Sequence, residues 1–317
     1  MSFRRALRWF FGIVALLTAV VAAIAAFFAK RIISPPRQAL WANPGDLGLD
    51  FDTVQFPAQD GVRIAGWFIP AAADSTRQGA TIILIHGWPW NRLGEAADDV
   101  FANITGEKPV DLLRLAYALH QEGFHVMMYD MRNHGESASA PPVAFGQEEA
   151  KDLLGAIAYL HGRADVSPDR IGVIGFSMGA NSLLYALPQT DQIKAAVAVQ
   201  PTTLAVFSKK YGQELLGPLS TLILPVAEFF YQAAGGLYWS AYRPSFAAAG
   251  AGKTPILFVQ GNGDPWGDVE DVAQIAEAAP NARGPLFVDS DDRFGGYQYL
   301  IDHPKVAISF FEQELPE

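Results

Sequence analysis

The sequence predicts an α/β fold: a mostly parallel central sheet flanked by helices, with a helical insertion and an apolar helix at the N-terminus. Three observations carry this expectation. First, short continuous apolar runs recur: TIILI (81–85), HVMMY (125–129), IGVIG (171–175), AAVAV (195–199), PILFV (255–259) and PLFV (285–288). Runs of that length read as strands buried on both faces. Second, amphipathic stretches of helical length lie between them at 110–122, 147–161, 178–187 and 268–278. Alternation of strand and helix implies a parallel sheet with helices on both faces. Third, residues 10–28 read FFGIVALLTAVVAAIAAFF, 19 positions without a charge.

That first run has the length of a membrane-crossing helix, at about 1.5 Å rise per residue against a hydrocarbon core of roughly 30 Å. Arg4, Arg5 and Arg8 precede it and Lys30 and Arg31 follow, so both flanks can reach head groups. A cleaved signal peptide is the alternative, because Ala23-Ile24-Ala25 has the small-x-small pattern of a cleavage site. The apolar run is, however, longer than the usual signal core. The positive-inside rule, by a narrow margin, places the N-terminus in the cytoplasm and the body on the outer side. Ser34-Pro35-Pro36 then reads as an extended linker. The expected organisation is an anchor and linker over 1–37 and one α/β domain over 38–317.

Charge divides the same way. The chain holds 23 Lys and Arg against 33 Asp and Glu, a formal −10. Six of the basic residues fall in the first 37 positions, where there is no acid. The acidic body argues against nucleic acid as a partner. With no cysteine in the chain, disulfides, thiolate metal sites and a cysteine nucleophile are excluded.

Along the body, runs at 54–57 and 62–70 are separated by Gln59-Asp60-Gly61. Asp-Gly is a turn signal, so these are two early strands joined as a hairpin. The strand–helix alternation follows. It is interrupted at 202–253, some 50 residues against a usual connection of about 2–6, which reads as an inserted, mostly helical cap. The last segment, 304–314, opens on Pro304 and reads as a helix.

Gly175-Phe176-Ser177-Met178-Gly179 matches G-x-S-x-G, with a strand before it and a helix after it. That is the sharp strand–turn–helix that exposes a serine hydroxyl, and its tightness is why glycines flank it. Three further motifs follow in order: His86-Gly87-Trp88 after TIILI, Asp130-Met131-Arg132-Asn133-His134-Gly135-Glu136-Ser137 after HVMMY, and Gly261-Asn262-Gly263-Asp264 after PILFV. Together they resemble the α/β-hydrolase superfamily, from about Val54 to Phe311. Within it the chain is similar to the bacterial serine esterase and serine aminopeptidase-like branch.

The resemblance implies Ser177 as nucleophile, the backbone N–H groups of Trp88 and Met178 as an oxyanion hole, and Asp264 as the acid that orients a histidine. It implies no cofactor and no metal. The expected substrate is a small ester, less readily a peptide, cleaved through an acyl-enzyme. Chain order in this fold is Ser, acid, His, and of the six histidines only His303 follows Asp264. Where the family carries its histidine, near position 293, this chain has Arg293, and a guanidinium stays protonated. Two readings follow. Either the loop with Gly295-Gly296 delivers His303 to Ser177, or the triad is incomplete and the fold serves as a membrane-tethered binding module. His86 and His134 are expected to order their loops. Phe229, Phe230, Tyr231, Tyr238, Trp239 and Tyr242 give the cap an aromatic lining suited to apolar ligands.

Overall fold

The structure is a computed structural model that describes residues 3–77, 79–96 and 108–315. One long helix, α1 (Phe3–Ile33), opens the chain. Strands β1 (Asp52–Pro57) and β2 (Arg63–Ile69) form an antiparallel pair around the Asp60-Gly61 turn. The alternating part then runs β3 (Thr81–Ile85), α2 (Leu112–Gln121), β4 (His125–Tyr129), α3 (Ala150–His161), β5 (Ile171–Phe176), α4 (Met178–Ala186) and β6 (Ile193–Val199). Between β6 and the next strand lie α5 (Leu204–Leu216), α6 (Ser220–Ala233) and α7 (Pro244–Ala249). The chain closes with β7 (Ile256–Gly261), α8 (Val269–Ala278), β8 (Ala282–Val288), α9 (Arg293–Asp302) and α10 (Lys305–Glu314).

The sheet has eight strands in the order β1-β2-β4-β3-β5-β6-β7-β8. Only β2 runs against its neighbours; every pairing from β4 onward is parallel. The central strands β3, β4 and β5 are buried along their whole length, as expected of a sheet covered on both faces. Order reverses around β3, so the loops after β3, β5 and β7 gather at one end, outside the carboxyl ends of the strands, where open α/β sheets bind ligands.

Two regions differ from the expectation. The segment after β8 is not a loop: it is α9, capped by Asp292, whose side chain accepts from Gly295 N–H at 2.8 Å. Gly296 sits in that helix because a Cβ there would lie 2.1 Å from Gln200 Oε1. The linker after α1 is also no loose tether. Ile33 C=O accepts from Val143 N–H at 3.1 Å. Arg37 Nη1 donates to the carbonyls of His134, Gly135 and Ser137 at 3.1, 2.6 and 2.6 Å. The C-terminal half of α1 packs on α6, burying Ala25, Phe28, Ala29 and Ile32, whereas Trp9, Phe10, Phe11, Leu16 and Leu17 are exposed.

Candidate active site

Ser177 occupies the turn between β5 and α4 with φ 52° and ψ −114°. A positive φ is costly for any residue with a Cβ and persists only where surroundings enforce it. Two bonds do so: Ser177 N–H donates to Val199 C=O at 2.8 Å, and Asn181 N–H donates to Ser177 C=O at 3.0 Å. The helix that follows comes so close to β3 that a Cβ on Gly179 would stand 2.4 Å from Ile85 O and 2.5 Å from His86 O. Gly179→Ala must therefore displace the loop after β3. We expect a lower Tm and loss of any Ser177-dependent chemistry together, measured by thermal unfolding and active-site labelling; a variant with unchanged Tm would contradict the close packing.

The loop after β3 is held by its histidine. His86 Nδ1 faces Gly87 C=O at 2.7 Å and His86 Nε2 accepts from Met131 N–H at 2.9 Å. Accepting at Nε2 requires the neutral ring, and burial, the dominant influence, pulls His86 down to about 4. His134, also fully buried and 5.2 Å from the His86 ring, is pulled down to about 3 by burial and then by His86. Neither lines the Ser177 cavity, and both bond to the backbone of their loops. Trp88 follows on that loop and lines the Ser177 cavity, and Met178 opens α4 directly after Ser177.

Asp264 lies after β7 with its side chain wholly buried. Its Oδ1 accepts from Trp266 N–H at 3.0 Å and Gly267 N–H at 2.9 Å, and Oδ2 from Gln260 Nε2 at 3.3 Å. The other partner of Oδ2 is Arg293 Nη1. Arg293 is the first residue of α9 and is itself buried. Its Nη2 donates to Ser177 Oγ at 3.0 Å and to Gln200 C=O at 3.1 Å. The site is thus a continuous Ser177–Arg293–Asp264 relay, with a guanidinium where the resemblance implies an imidazole. Burial disfavours the charge on Arg293, but Asp264 and Tyr297 together outweigh it and leave the group above its ordinary value. Tyr297, one turn along α9, presents its ring 5.3 Å from Arg293 Cζ. Its hydroxyl neighbours Ser177 and Gln200, and burial pushes it up to about 12.

His303 does not complete the site. It follows α9, ten residues beyond Arg293, about 15 Å along a helix axis at 1.5 Å per residue. It is exposed, its Nδ1 lies 3.0 Å from Tyr299 C=O, and its ring stacks on Tyr299 at 4.6 Å. The expectation of a base at His303 is corrected for a plain reason: the residues meant to form a return loop form a helix instead, and the helix carries His303 outward. Gln200, Tyr297 and Trp266 are site residues the motifs did not reveal. No motif marks them, since two come from segments with no fixed pattern and Gln200 merely follows a strand.

Aromatic rings seal the site. Trp88, Trp90, Phe145, Phe207, Trp266, Phe294 and Tyr297 enclose Ser177 and Arg293 around a space of about 10 Å³, room for roughly one water molecule. Tyr211 of α5 joins this wall to the N-terminal helix: its ring lies 5.2 Å from Phe207, 6.2 Å from Trp88 and 6.0 Å from Phe28 of α1. The aromatic cap residues named from sequence divide. Tyr231, Trp239 and Tyr242 are buried, with the Tyr231 and Tyr242 hydroxyls 2.8 Å apart, while Phe229 and Tyr238 face outward. None of them lines the Ser177 cavity. A larger groove of about 830 Å³, between residues 187–194 and 250–254, lies at the opposite end of the sheet. Among the described residues no cluster of side chains could hold a metal ion.

The strand order, the serine turn after β5 and the acid after β7 are those of an α/β hydrolase fold. A family model described as the alpha/beta hydrolase fold matches residues 80–222. The chain is similar to the esterase Pf2001 of Pyrococcus furiosus, at 23% identity and a TM-score of 0.68, over 90% of this chain and 99% of that one. It is 26% identical to the uncharacterized protein YfhR of Salmonella typhi over 86% of this chain and 85% of the relative. It is 29% identical to the esterase FrsA of Vibrio cholerae over 46% of this chain and 36% of that protein.

Proposed function

We propose that the protein is a membrane-anchored hydrolase that binds acyl esters at Ser177 and cleaves them slowly, without a histidine base. The observation that carries this is the Arg293 guanidinium between Ser177 Oγ and Asp264. In acylation Ser177 Oγ bonds to the ester carbonyl carbon, the alkoxide departs, and the hydroxyl proton must reach that alkoxide. Arg293 cannot take the proton, because it is cationic throughout the working range. Its charge beside Oγ does favour a developing negative oxygen, and the N–H groups of Trp88 and Met178 are the donors assigned to the carbonyl oxygen. Such a site retains the share of catalysis that survives loss of a triad member, about 10³–10⁴ over water. It favours esters over peptides, since an amine leaving group needs an acid to protonate it and no imidazole stands here to give one.

The test is labelling by a fluorophosphonate probe and turnover of a p-nitrophenyl ester. We expect slow, Ser177-dependent reaction, abolished in Ser177→Ala, with no rise in rate as pH climbs through the range near 6.5 where a histidine base loses its proton. A rate step at that pH would mean that a histidine serves Ser177 after all. Complete inertness toward both reagents would favour the second reading, a membrane-tethered binding module. The nearly filled cavity is the observation on its side.

Residues 10–28 serve as a retained anchor in this reading, with the body on the outer side. Supporting retention, a cut after Ala25 would remove α1 residues that cover α6 and would leave buried Phe28 and Ile32 at a chain end.

A further inference from the structure

The outer face of α6 is apolar and is left uncovered by the described residues. Leu222, Pro225 and Phe229 are exposed along one stripe of the helix, and Leu219 precedes it. Spacings of three and four place such residues on one face. Leu222 is 54% and Phe229 64% exposed. Glu228, the sole charge in 217–239, turns away from the stripe to accept from Trp239 N–H at 2.7 Å. A monomer rarely leaves a contiguous apolar patch of this kind without use.

The position of α1 says what covers it. The C-terminal half of α1 packs on α6, yet that half includes residues 21–28 of the 19-residue uncharged run. A run of that length is needed in full to cross roughly 30 Å of hydrocarbon. Its last two turns then lie at hydrocarbon depth, about 12 Å by helical rise, and the helix beside them lies there too. Lys30 and Arg31 mark where the chain leaves the bilayer. The linker bonds of Ile33 and Arg37 fix the body to α1, so this placement cannot be relaxed by a swinging tether.

We infer that α6 lies embedded in one leaflet beside the anchor, with Leu219, Leu222, Pro225 and Phe229 in contact with lipid acyl chains. The occupant of this face is the bilayer itself, and the cap is a monotopic element rather than a lid free in water. Interfacial helices bury their apolar faces by about 5–10 Å, in keeping with the depth set by α1. The inference rests on α1 being a retained span.

The absence of cysteine makes the test direct. Single cysteines are introduced into the full chain by Leu222→Cys, Phe229→Cys, Val14→Cys and Asp169→Cys, each labelled with an environment-sensitive fluorophore. The proteins are reconstituted into phosphatidylcholine–phosphatidylglycerol vesicles with or without nitroxide-bearing lipid. Val14 reports the anchor; Asp169, exposed before β5, reports the far end of the sheet. Blue-shifted emission at 222 and 229, with most of its intensity lost to lipid nitroxide as at Val14 and none lost at Asp169, supports the inference. Quenching at Val14 with none at 222 and 229 overturns it while the anchor stands. Labels at 222 and 229 shielded from aqueous iodide yet untouched by lipid nitroxide also overturn it, pointing to a second copy of the chain on this face. A Val14 label that lipid nitroxide does not reach overturns the anchor reading and the inference with it.

Discussion

Arg293→His raises the rate of Ser177 acylation by a p-nitrophenyl ester by about 10²-fold or more, the lower end of what a positioned general base contributes. Everything else such a base needs is in place. Asp264 is buried and held by Trp266 and Gly267 N–H groups, so it can orient an imidazole as it now orients a guanidinium. The backbone of Arg293 is fixed by α9 and by Gln200, whose Nε2 donates to Arg293 C=O at 2.8 Å. The substitution also lifts a donor from Ser177 Oγ and replaces it with a group that accepts the hydroxyl proton. The gain should carry its own signature, a rate that climbs as pH rises through the imidazole range, absent from the parent. Stopped-flow burst kinetics at several pH values read both. A variant that folds normally and shows neither gain nor pH step would mean that Ser177 lacks a competent oxyanion hole.

Asp130→Ala costs about 3 kcal/mol or more of folding stability, measured by chemical denaturation. Arg92 and Asp130 are both wholly buried and meet at 2.6 Å. Asp130 also accepts from Arg92 N–H at 2.7 Å and Glu136 N–H at 2.8 Å. Removing one partner of a buried pair leaves an uncompensated charge, for which about 3–5 kcal/mol is typical. Glu136 Oε2, 2.7 Å from Arg92 but largely exposed, moderates the loss without cancelling it. Arg92 belongs to the loop that carries Trp88, so the variant should also lose labelling at Ser177. A change under about 1 kcal/mol would contradict this assignment. Asp130→Asn, which keeps an oxygen acceptor, should fall between the two.

Most of the fold was legible in the sequence because buried parallel strands announce themselves. Each of the six apolar runs became a strand, and the Asp60-Gly61 turn joined β1 to β2. Ser177 and Asp264 were legible for a related reason: both stand at strand ends where the chain has little freedom. Helix α9 was not legible. Its two glycines read as a flexible loop, while their actual cause, the close approach of Gln200, comes from a residue some 96 positions earlier. That single misreading carried the error over His303. Arg293 was conspicuous in the sequence as the wrong residue for a base, but its bridging of Ser177 and Asp264 depends on three segments that meet only in the folded chain. The inward and outward sorting of the cap aromatics was equally hidden, since Tyr231 is set by Tyr242 and by Val143 C=O, not by local pattern.

With α1 held in the membrane as proposed, the bonds from Arg37 to three carbonyls of the 134–137 loop would make membrane insertion and folding linked equilibria. A ligand of the native state alone stabilises that state by mass action, and under that proposal the bilayer would play the ligand's part. Work done in settling α1 among lipids would be returned as resistance of the whole domain to unfolding. Detergent extraction would then act as a mild denaturant of the Ser177 site. A chain beginning after Arg37 would lack the donor for those three carbonyls, so its stability would report on a different molecule.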